Sequence, residues 1–278
     1  MAMETPQRNG HGTLVWEENF SGAALDENTW SIRQGPTRGC VHWYTDLPKN
    51  VRVEDGFLVI ETLEKSVEEI IALAASCPDE AWPEKIRELG RPEKIREMGL
   101  GYTSARIHTK GKKPVLYGRL EGRMKLPTGQ GLWPAFWTIG EDIGEAGWPA
   151  CGEIDIFELV GGKGNAKDGF GDSETHCALH CRPEQRPKLN YIVLGDTRLE
   201  QGKYSDDFHI FTVDWTPEKI TFFVDGKAIK EIGIADVPEF HKPHYVILNT
   251  AVGGWPEPPD ETTVFPKKFI VDWIRYYR

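Results

Sequence analysis

Short strands separated by turn residues are the feature that most constrains the fold of this chain. In VRVEDGFLVIET (51–62), apolar and polar residues alternate on both sides of the Asp-Gly pair at 55–56, and ITFFVDGKAIKEI (220–232) repeats the pattern around 225–226. Asp-Gly between two alternating runs predicts a β-hairpin. Many such strands indicate a β-sandwich or barrel, and a sandwich of curved sheets would leave one concave polar face for an extended polymer. Further strands are predicted at 118–127, 133–140, 208–215, 244–252 and 268–277.

One segment departs from the strand pattern. Between 64 and 99 the apolar residues Val67, Ile70, Ile71 and Ala74 follow helical spacing. The segment also holds a tandem repeat, PEKIRELG (83–90) and PEKIREMG (92–99). Each copy begins with proline and ends in glycine, which is typical of a short capped helix. We interpret 64–99 as a helical insertion between two strands, serving as surface decoration, as a lid or as a docking patch.

Composition excludes several classes of function. The 278 residues are 39% hydrophobic, which is enough for a sizeable core, and the net charge is −10 without any Lys/Arg-rich run. Nucleic acid and anionic membranes are therefore poor partners. The longest apolar runs are too short to span a membrane, and residues 1–13 form a predicted flexible tail that lacks the apolar core of a signal peptide. Five cysteines without disulfide-scaffold spacing give no sign of disulfide dependence.

The segment GEIDIFELVG (152–161) places three carboxylates in six consecutive positions: Glu153, Asp155 and Glu158. The intervening residues are strand formers. Along a pleated strand, side chains two or four apart share a face, so Glu153 and Asp155 point the same way. Simple alternation would send Glu158 into the core, where an isolated carboxylate is costly.

A β-bulge near Ile156-Phe157 would resolve this conflict, because positions beyond a bulge change face. Glu153 and Glu158 would then behave as residues four apart, with Cα atoms roughly 13 Å apart along the strand. Two side chains leaning toward each other would bring their carboxyl groups to about 5 Å, which matches the pair of a retaining glycosidase.

Chain order and environment suggest a role for each acid. Glu153 would be the nucleophile, and Glu158 the general acid and then the general base. Asp155 would hydrogen-bond Glu153 and help three clustered carboxyls share a proton. The residues alone also leave open a solvated acidic strand face or a calcium site built from oxygen ligands.

The stretch WPAFWTIGEDIGEAGWPACGEIDIFELVG (133–161) resembles the signature region of glycoside hydrolase family 16, in its laminarinase-like endo-β-1,3-glucanase branch. The full E-x-D-x-x-E motif is present. The resemblance extends from about Leu14 to Arg278 and is interrupted by the insertion. Its other supporting stretches are 51–62, YTSARIHTKG (102–111), 208–226 and 247–278.

The resemblance implies a β-jelly-roll sandwich of two curved antiparallel sheets, formed by one catalytic domain over 14–278. It also implies an endo-acting, retaining β-1,3-glucanase that needs no cofactor for catalysis and that acts on β-glucan as a monomer. A mixed-linkage β-1,3-1,4-glucanase, a transglycosylase and a non-catalytic glucan-binding module are the alternatives. Sulfated galactans would favour a basic cleft, whereas this chain is acidic. A polymeric substrate predicts secretion or a periplasmic location.

The same resemblance assigns substrate contacts residue by residue. Alternation places Trp133 and Trp137 on one strand face, where one would face the cleft and the other border the core. His180 matches the cleft histidine of the family, and Trp255 matches a tryptophan at the cleft rim. The predicted substrate-binding residues are Trp148, Trp137, Trp133, His180, Arg106, Asn249 and Trp255.

Two segments depart from the family pattern. Val41, His42 and Trp43 replace polar residues that normally face the cleft, so we expect His42 or Trp43 to contact sugar instead. HCALHC (176–181) has the composition of a metal site, but alternation separates its histidines from its cysteines onto opposite faces. Its two cysteines are also too far apart on a strand for a disulfide.

Many family members hold a structural calcium on the convex side. The matching ligands here would be Asn19, the carbonyl oxygen of Gly56 and Asp272. Asn19 stands where an acidic residue is usual, and an amide oxygen binds calcium with less charge. The resemblance therefore predicts a weakened calcium site.

Overall fold

The computed structural model describes residues 12–77, 88–163, 171–182 and 192–278, and they form two packed sheets with one helical insertion. The strands of the first half are β1 (Leu14–Glu18), β2 (Ser31–Arg33), β3 (Gly35–Pro36), β4 (His42–Tyr44), β5 (Val51–Glu54), β6 (Phe57–Glu64), β7 (Tyr102–Ser104), β8 (Arg106–His108) and β9 (Gly118–Lys125). Those of the second half are β10 (Leu132–Gly140), β11 (Glu153–Glu158), β12 (Glu174–His180), β13 (Ile192–Arg198), β14 (His209–Trp215), β15 (Lys219–Val224), β16 (Lys227–Gly233), β17 (His244–Val252) and β18 (Lys267–Tyr277).

The helices of the described part are α1 (Val67–Ser76), α2 (Pro92–Glu97) and α3 (Ile143–Ala146). One sheet has the order β13-β12-β11-β10-β17-β8-β2 and carries the three acids; we call it the cleft sheet. The other has the order β16-β15-β14-β9-β18-β6-β7-β4-β3, with β1 added to β18 and β5 to β6. The pairs are antiparallel except for β4 with β7, as the sandwich prediction requires.

Both predicted hairpins are confirmed. β5 pairs with β6 across the turn at 55–56, and β15 pairs with β16 across the turn at 225–226. In each turn the Asp and the Gly both have positive φ, between 50° and 81°. Two consecutive residues of positive φ characterise the turn whose twist matches that of paired strands, and Asp-Gly adopts it at low cost.

The hydrophobic core lies between the two sheets. Phe136 and Phe157 project from the cleft sheet, and Phe211 and Phe269 project from the opposite one. The ring of Phe157 lies 4.2 Å from that of Phe211 and 6.0 Å from that of Phe269, measured between centroids. Such aromatic contacts add packing energy to the burial of apolar area. They hold β11, the strand of the acids, against the opposite sheet.

The predicted helical insertion is present between β6 and β7. Helix α1 begins with a capping box in which Ser66 and Glu69 bind each other's backbone N–H groups. The second copy of the repeat forms α2, which starts at Pro92 and is followed by Gly99 with φ 61°. Residues 78–87, which include most of the first copy, lie outside the described residues, as do residues 1–11 of the predicted tail.

The insertion packs onto β4 and corrects one prediction. Trp43 forms a separate hydrophobic cluster with Ile70, Ile95 and Leu100, all of them buried. His42 is fully buried as well, and its Nδ1 accepts a 2.9 Å hydrogen bond from the backbone N–H of Val252. The expectation that His42 or Trp43 contacts sugar is therefore wrong, because the insertion buries Trp43 and His42 is buried beside the backbone of Val252.

Within the described ranges, no helix is both long enough and apolar enough to cross a membrane. Four of the five cysteines are buried, and Cys177 and Cys181 lie in the main core. The predicted domain boundaries, 1–13 and 14–278, stay predictions.

Candidate active site

The bulge predicted in the acid strand is confirmed by the register on both sides of β11. Toward β10, Asp155 pairs with Trp137 and Phe157 with Phe136, so that Ile156 is the extra residue. Toward β12, the span from Asp155 to Glu158 faces only the span from Ala178 to His176. Ile156 and Phe157 both point into the core, and Glu158 returns to the face of Glu153 and Asp155.

The three acids line an open cavity of about 180 Å³ on the cleft sheet. Four of the seven predicted substrate-binding residues line it with them: Trp133, Trp137, Arg106 and Asn249. Sequence reasoning missed the other five lining residues. Three of these come from the chain leading into and through β4, and two are small residues that give the cavity its depth: Thr37, Cys40, Tyr44, Ala135 and Ala251.

The electrostatics of the cavity favour protonated acids. Burial raises the pKa of Asp155 to about 8. Burial and the neighbouring Asp155 raise the pKa of Glu158 to about 8 as well. The pKa of Glu153 lies well above its usual value, chiefly through burial and next through Asp155, while His180 and Arg106 oppose the shift. Like charges placed this close cannot all ionise together, so the cluster retains protons at neutral pH.

His180 is the close partner of two of the acids. Its Nε2 lies 3.1 Å from Oδ2 of Asp155 and 3.6 Å from Oε1 of Glu153. His180 thus lies close to both acids, while the predicted hydrogen bond of Asp155 to Glu153 stays a prediction. Trp148, which is 46% exposed, packs against the His180 ring at 5.8 Å between centroids. Trp148 therefore presents a broad apolar surface to solvent beside the acids.

The two tryptophans of β10 share the cleft face, as predicted, and both line the cavity. The indole N–H of Trp133 donates a 2.9 Å hydrogen bond to Oε1 of Glu158. The indole N–H of Trp137 donates a 2.8 Å hydrogen bond to Oδ1 of Asn249, and the guanidinium of Arg106 lies 4.6 Å from the Trp137 ring. These contacts hold both rings in place before any sugar binds.

Trp255 extends this aromatic surface beyond Trp133. Its ring packs edge-on against Trp133 at 5.9 Å and lies 5.2 Å from the ring of His176. The histidines of HCALHC thus lie on the cleft side while its cysteines lie in the core, as alternation predicts. The four side chains do not converge on one point.

Two places in the molecule bring together side chains of types that bind metals. Among the described residues, one group of His, Cys, Asp and Glu brings its ligand atoms within 4.8 Å of one another: Glu153, Asp155 and His180. Glu153 and Asp155 of this group are two of the three acids that line the cavity. On the other sheet, the Asp272 carboxylate is ion-paired with Arg123, and the Asn19 side chain accepts the N–H of Ser21. This donor set fits calcium poorly, since Arg123 neutralises the only carboxylate predicted to bind it.

Comparison with known proteins agrees with this geometry. The model for glycosyl hydrolases family 16 matches residues 51–275. The chain is 32% identical to a β-glucanase of Rhodothermus marinus, over 96% of this chain and 86% of that protein. It is 29% identical to glucan endo-1,3-β-glucosidase A1 of Niallia circulans, over 95% of this chain but only 38% of that longer protein.

Among solved structures, the laminarinase catalytic domain of Thermotoga maritima is similar, with a TM-score of 0.74 and 33% identity. The match covers 96% of this chain and 98% of that domain. The jelly-roll prediction is confirmed by this similarity and by the two observed sheets. With its fold, its bulged acid strand and a family match over most of its length, the chain belongs to glycosyl hydrolases family 16.

Proposed function

We propose that the chain is a retaining endo-β-1,3-glucanase that hydrolyses glucans such as laminarin by double displacement. The observation that carries the proposal is the bulge at Ile156, which brings Glu153 and Glu158 to one face of one strand. Across the bulge the two behave as residues four apart, and two inward-leaning carboxyl groups would then be about 5 Å apart, as in a retaining pair. Two relatives, a β-glucanase and an endo-1,3-β-glucosidase, support glucan as the substrate.

In the first step, ionised Glu153 attacks the anomeric carbon while Glu158 donates its proton to the glycosidic oxygen. The bond to the leaving sugar breaks, and a covalent glycosyl-enzyme forms. A pKa of about 8 keeps Glu158 protonated at neutral pH, as a general acid requires. A proton retained on Asp155 allows Glu153 to carry the negative charge, and His180 lies against both of them.

In the second step, Glu158 is a carboxylate and takes a proton from water, which attacks the anomeric carbon and releases Glu153. The indole N–H of Trp133 remains on Glu158 and stabilises this charged form. The cavity is open, so sugar units can extend in both directions from the cleavage point. That openness favours attack within a chain over attack at its end.

Cleavage of mixed-linkage β-1,3-1,4-glucan is the second candidate. The Rhodothermus relative is described only as a β-glucanase, which leaves the linkage open. Transglycosylation would use the same glycosyl-enzyme with a sugar acceptor in place of water. We further propose that the protein works as a monomer outside the cytoplasm, because its polymeric substrate lies there.

Glu153→Gln tests the nucleophile, with Glu145→Gln as the matched control. Glu145 is an exposed residue of α3, so the control makes the same chemical change away from the cavity. We expect Glu153→Gln to lower kcat on laminarin by at least about a thousandfold, since no covalent intermediate can form. Laminarin hydrolysis by Glu153→Gln at the wild-type rate would refute the assignment.

Two further measurements complete the test. Proton NMR of the first product distinguishes retention, which yields the β-anomer, from inversion, which yields the α-anomer. Initial rates on laminarin, barley β-glucan and agarose, measured side by side, separate β-1,3 from mixed-linkage and galactan specificity. Inactivity on both glucans with activity on agarose would reject the glucanase proposal.

A further inference from the structure

The β2 end of the cleft sheet carries two adjacent arginines, Arg33 on β2 and Arg106 on β8. The register places Glu158, Ala135, Asn249, Arg106 and Arg33 in one row across β11, β10, β17, β8 and β2. Residues directly opposite each other on neighbouring strands point to the same face. The row therefore runs from a catalytic acid, across the floor of the cavity, to a pair of guanidinium groups.

Neither arginine has a carboxylate of the described residues within ion-pair distance, although the charge of Arg106 acts on Glu153 in the same cavity. Arg33 donates one long hydrogen bond, 3.4 Å, to the carbonyl oxygen of Pro36. Arg106 lies over the Trp137 ring, and its Nε is buried without a hydrogen-bond partner. A guanidinium has five N–H donors, so most donors of this pair have no hydrogen-bond acceptor among the residues that the structure describes.

Two acidic residues on the neighbouring loops are engaged elsewhere. The Glu141 carboxylate accepts the backbone N–H of Gly111, and the Asp46 carboxylate accepts the side-chain amide of Gln34. Like charges placed opposite each other on paired strands destabilise a sheet. Arg33 and Arg106 lie opposite each other on β2 and β8, so their repulsion is unfavourable for folding.

Neighbouring titratable groups respond to this positive potential. Burial, followed by the field of Arg106, lowers the pKa of Arg33 to about 10. Burial, followed by Arg106, Lys112 and Lys110, lowers the pKa of His108 to about 4. This end of the cleft is therefore cationic, although the chain as a whole carries a net charge of −10.

We propose that Arg33 and Arg106 bind an anionic group, a carboxylate or a sulfate ester, on a sugar unit of the polysaccharide. The proposal rests on the glucanase function proposed above and adds glucan chains with acidic substituents to its substrates. Two guanidinium forks present paired N–H donors that match the paired oxygens of either group. At about 4.8 Å per strand, the Cα atom of Arg106 lies roughly 14 Å and that of Arg33 roughly 19 Å from the Cα atom of Glu158. The anionic sugar therefore binds on the β2 side of the cleaved bond.

Arg33→Gln tests the proposal, with Arg38→Gln as the matched control. Arg38 is exposed in the loop that follows β3, so the control removes the same charge nearby. The probes are laminarin, carboxymethylated laminarin and sulfated laminarin, the last two with equal charge density. For each variant, kcat/KM on each anionic probe is divided by kcat/KM on laminarin.

We expect Arg33→Gln to lower this ratio about tenfold or more, as the loss of a charge-assisted hydrogen bond predicts. Arg38→Gln should leave the ratio unchanged, and whichever probe loses more identifies carboxylate or sulfate as the preferred group. Equal losses on neutral and anionic probes would assign Arg33 a structural role in the turn at Pro36 and overturn the proposal. An unchanged ratio in both variants would overturn it as well.

A binding experiment separates this proposal from the glucanase function. Calorimetry with Glu153→Gln, with and without Arg33→Gln, measures binding of the same three probes without hydrolysis. If wild-type protein fails to hydrolyse laminarin while Arg33→Gln still weakens binding of the anionic probes, the glucanase proposal fails and the anion site stands. Binding of anionic probes that is insensitive to Arg33→Gln would refute the anion site alone.

Discussion

The indole N–H of Trp133 donates a 2.9 Å hydrogen bond to Oε1 of Glu158, the proposed general acid. A donor aimed at a carboxylate favours its charged form and lowers its pKa, whereas burial acts in the opposite direction. Trp133, which the sequence assigns to sugar contact, would thus also adjust the proton transfer proposed for Glu158. The pH profile separates these two roles of Trp133.

Trp133→Phe should move the alkaline limb of the kcat/KM profile on laminarin to higher pH. Without the hydrogen bond the pKa of Glu158 rises, so the acid stays protonated further into the alkaline range. The expected shift is on the order of one pH unit, upward from about 8. The control is Trp137→Phe, whose indole binds Asn249 instead of an acid. A profile that falls in height without moving would restrict Trp133 to sugar binding.

Asp155→Asn should make the protein more stable at alkaline pH. Burial raises the folded-state pKa of Asp155 to about 8, above its value in the unfolded chain. The folded state then binds more protons between about pH 4 and pH 8, so stability is lost as pH rises through this window. Asn removes that cost, and we expect Tm near pH 8 to rise by about 2–6 °C, with little change near pH 4.

Scanning fluorimetry across pH measures this effect. The control is Asp207→Asn, because Asp207 is exposed and lies outside the cavity. Activity on laminarin should fall in Asp155→Asn even as Tm rises, which is the exchange of stability for function expected at a catalytic cluster. An equal Tm gain at acid and alkaline pH would contradict the linkage with Asp155 ionisation.

Ile95→Ala should destabilise the protein and weaken substrate binding together. Ile95 is fully buried against Trp43, and the neighbouring Tyr44 lines the cavity. Truncation of a buried isoleucine costs about 2–5 kcal/mol, which corresponds to a Tm decrease of roughly 4–20 °C at this chain length. The KM for laminarin should rise because β4 loses its support.

Glu93→Ala is the control for Ile95→Ala, since Glu93 lies exposed on the same helix. Thermal unfolding and initial rates on laminarin are measured on both variants. A lower Tm with an unchanged KM would show that the insertion stabilises the fold without shaping the cleft, and would reduce it to surface decoration.

Calcium should stabilise the wild-type protein little and Arg123→Ala more. Arg123 is ion-paired with the Asp272 carboxylate. Calcium can therefore bind this carboxylate only if it displaces Arg123 or if Arg123 has been replaced. We expect wild-type Tm to differ by about 1 °C or less between chelator and millimolar calcium, and Arg123→Ala to gain several degrees from calcium. Magnesium at equal concentration controls for general ionic effects. Strong calcium stabilisation of the wild type would restore the calcium site implied by the family resemblance.

The elements that the sequence predicts correctly are those set by local pattern. The Asp-Gly pairs predicted both hairpins. Simple strand alternation would have sent Glu158 into the core, and this conflict predicted the bulge, because only a change of face keeps that acid out of the core. Trp133 and Trp137 share a face because strand alternation has a period of two. Their hydrogen-bond acceptors lie on other strands and are not visible in any short stretch.

The errors arise where distant segments meet. The family resemblance predicted that His42 or Trp43 contacts sugar, but both are buried, and an insertion that begins about twenty residues later packs onto Trp43. The arginine pair depends on β2 pairing with β8, a contact between residues far apart in the chain. The net charge is a sum over the whole molecule, so it could not predict that one end of the cleft is cationic.

The bulge in β11 has a consequence for how the sequence can change in length. Ile156 and Phe157 both occupy the core, so loss of either residue would still leave all three acids on the cleft side. Such a deletion would leave a cavity between the sheets but would not change the order of the acids along the strand. The number of residues between Asp155 and Glu158 therefore depends on how many side chains fill the core at this point. If that number were smaller, the side chains around Phe136 and Phe211 would repack first.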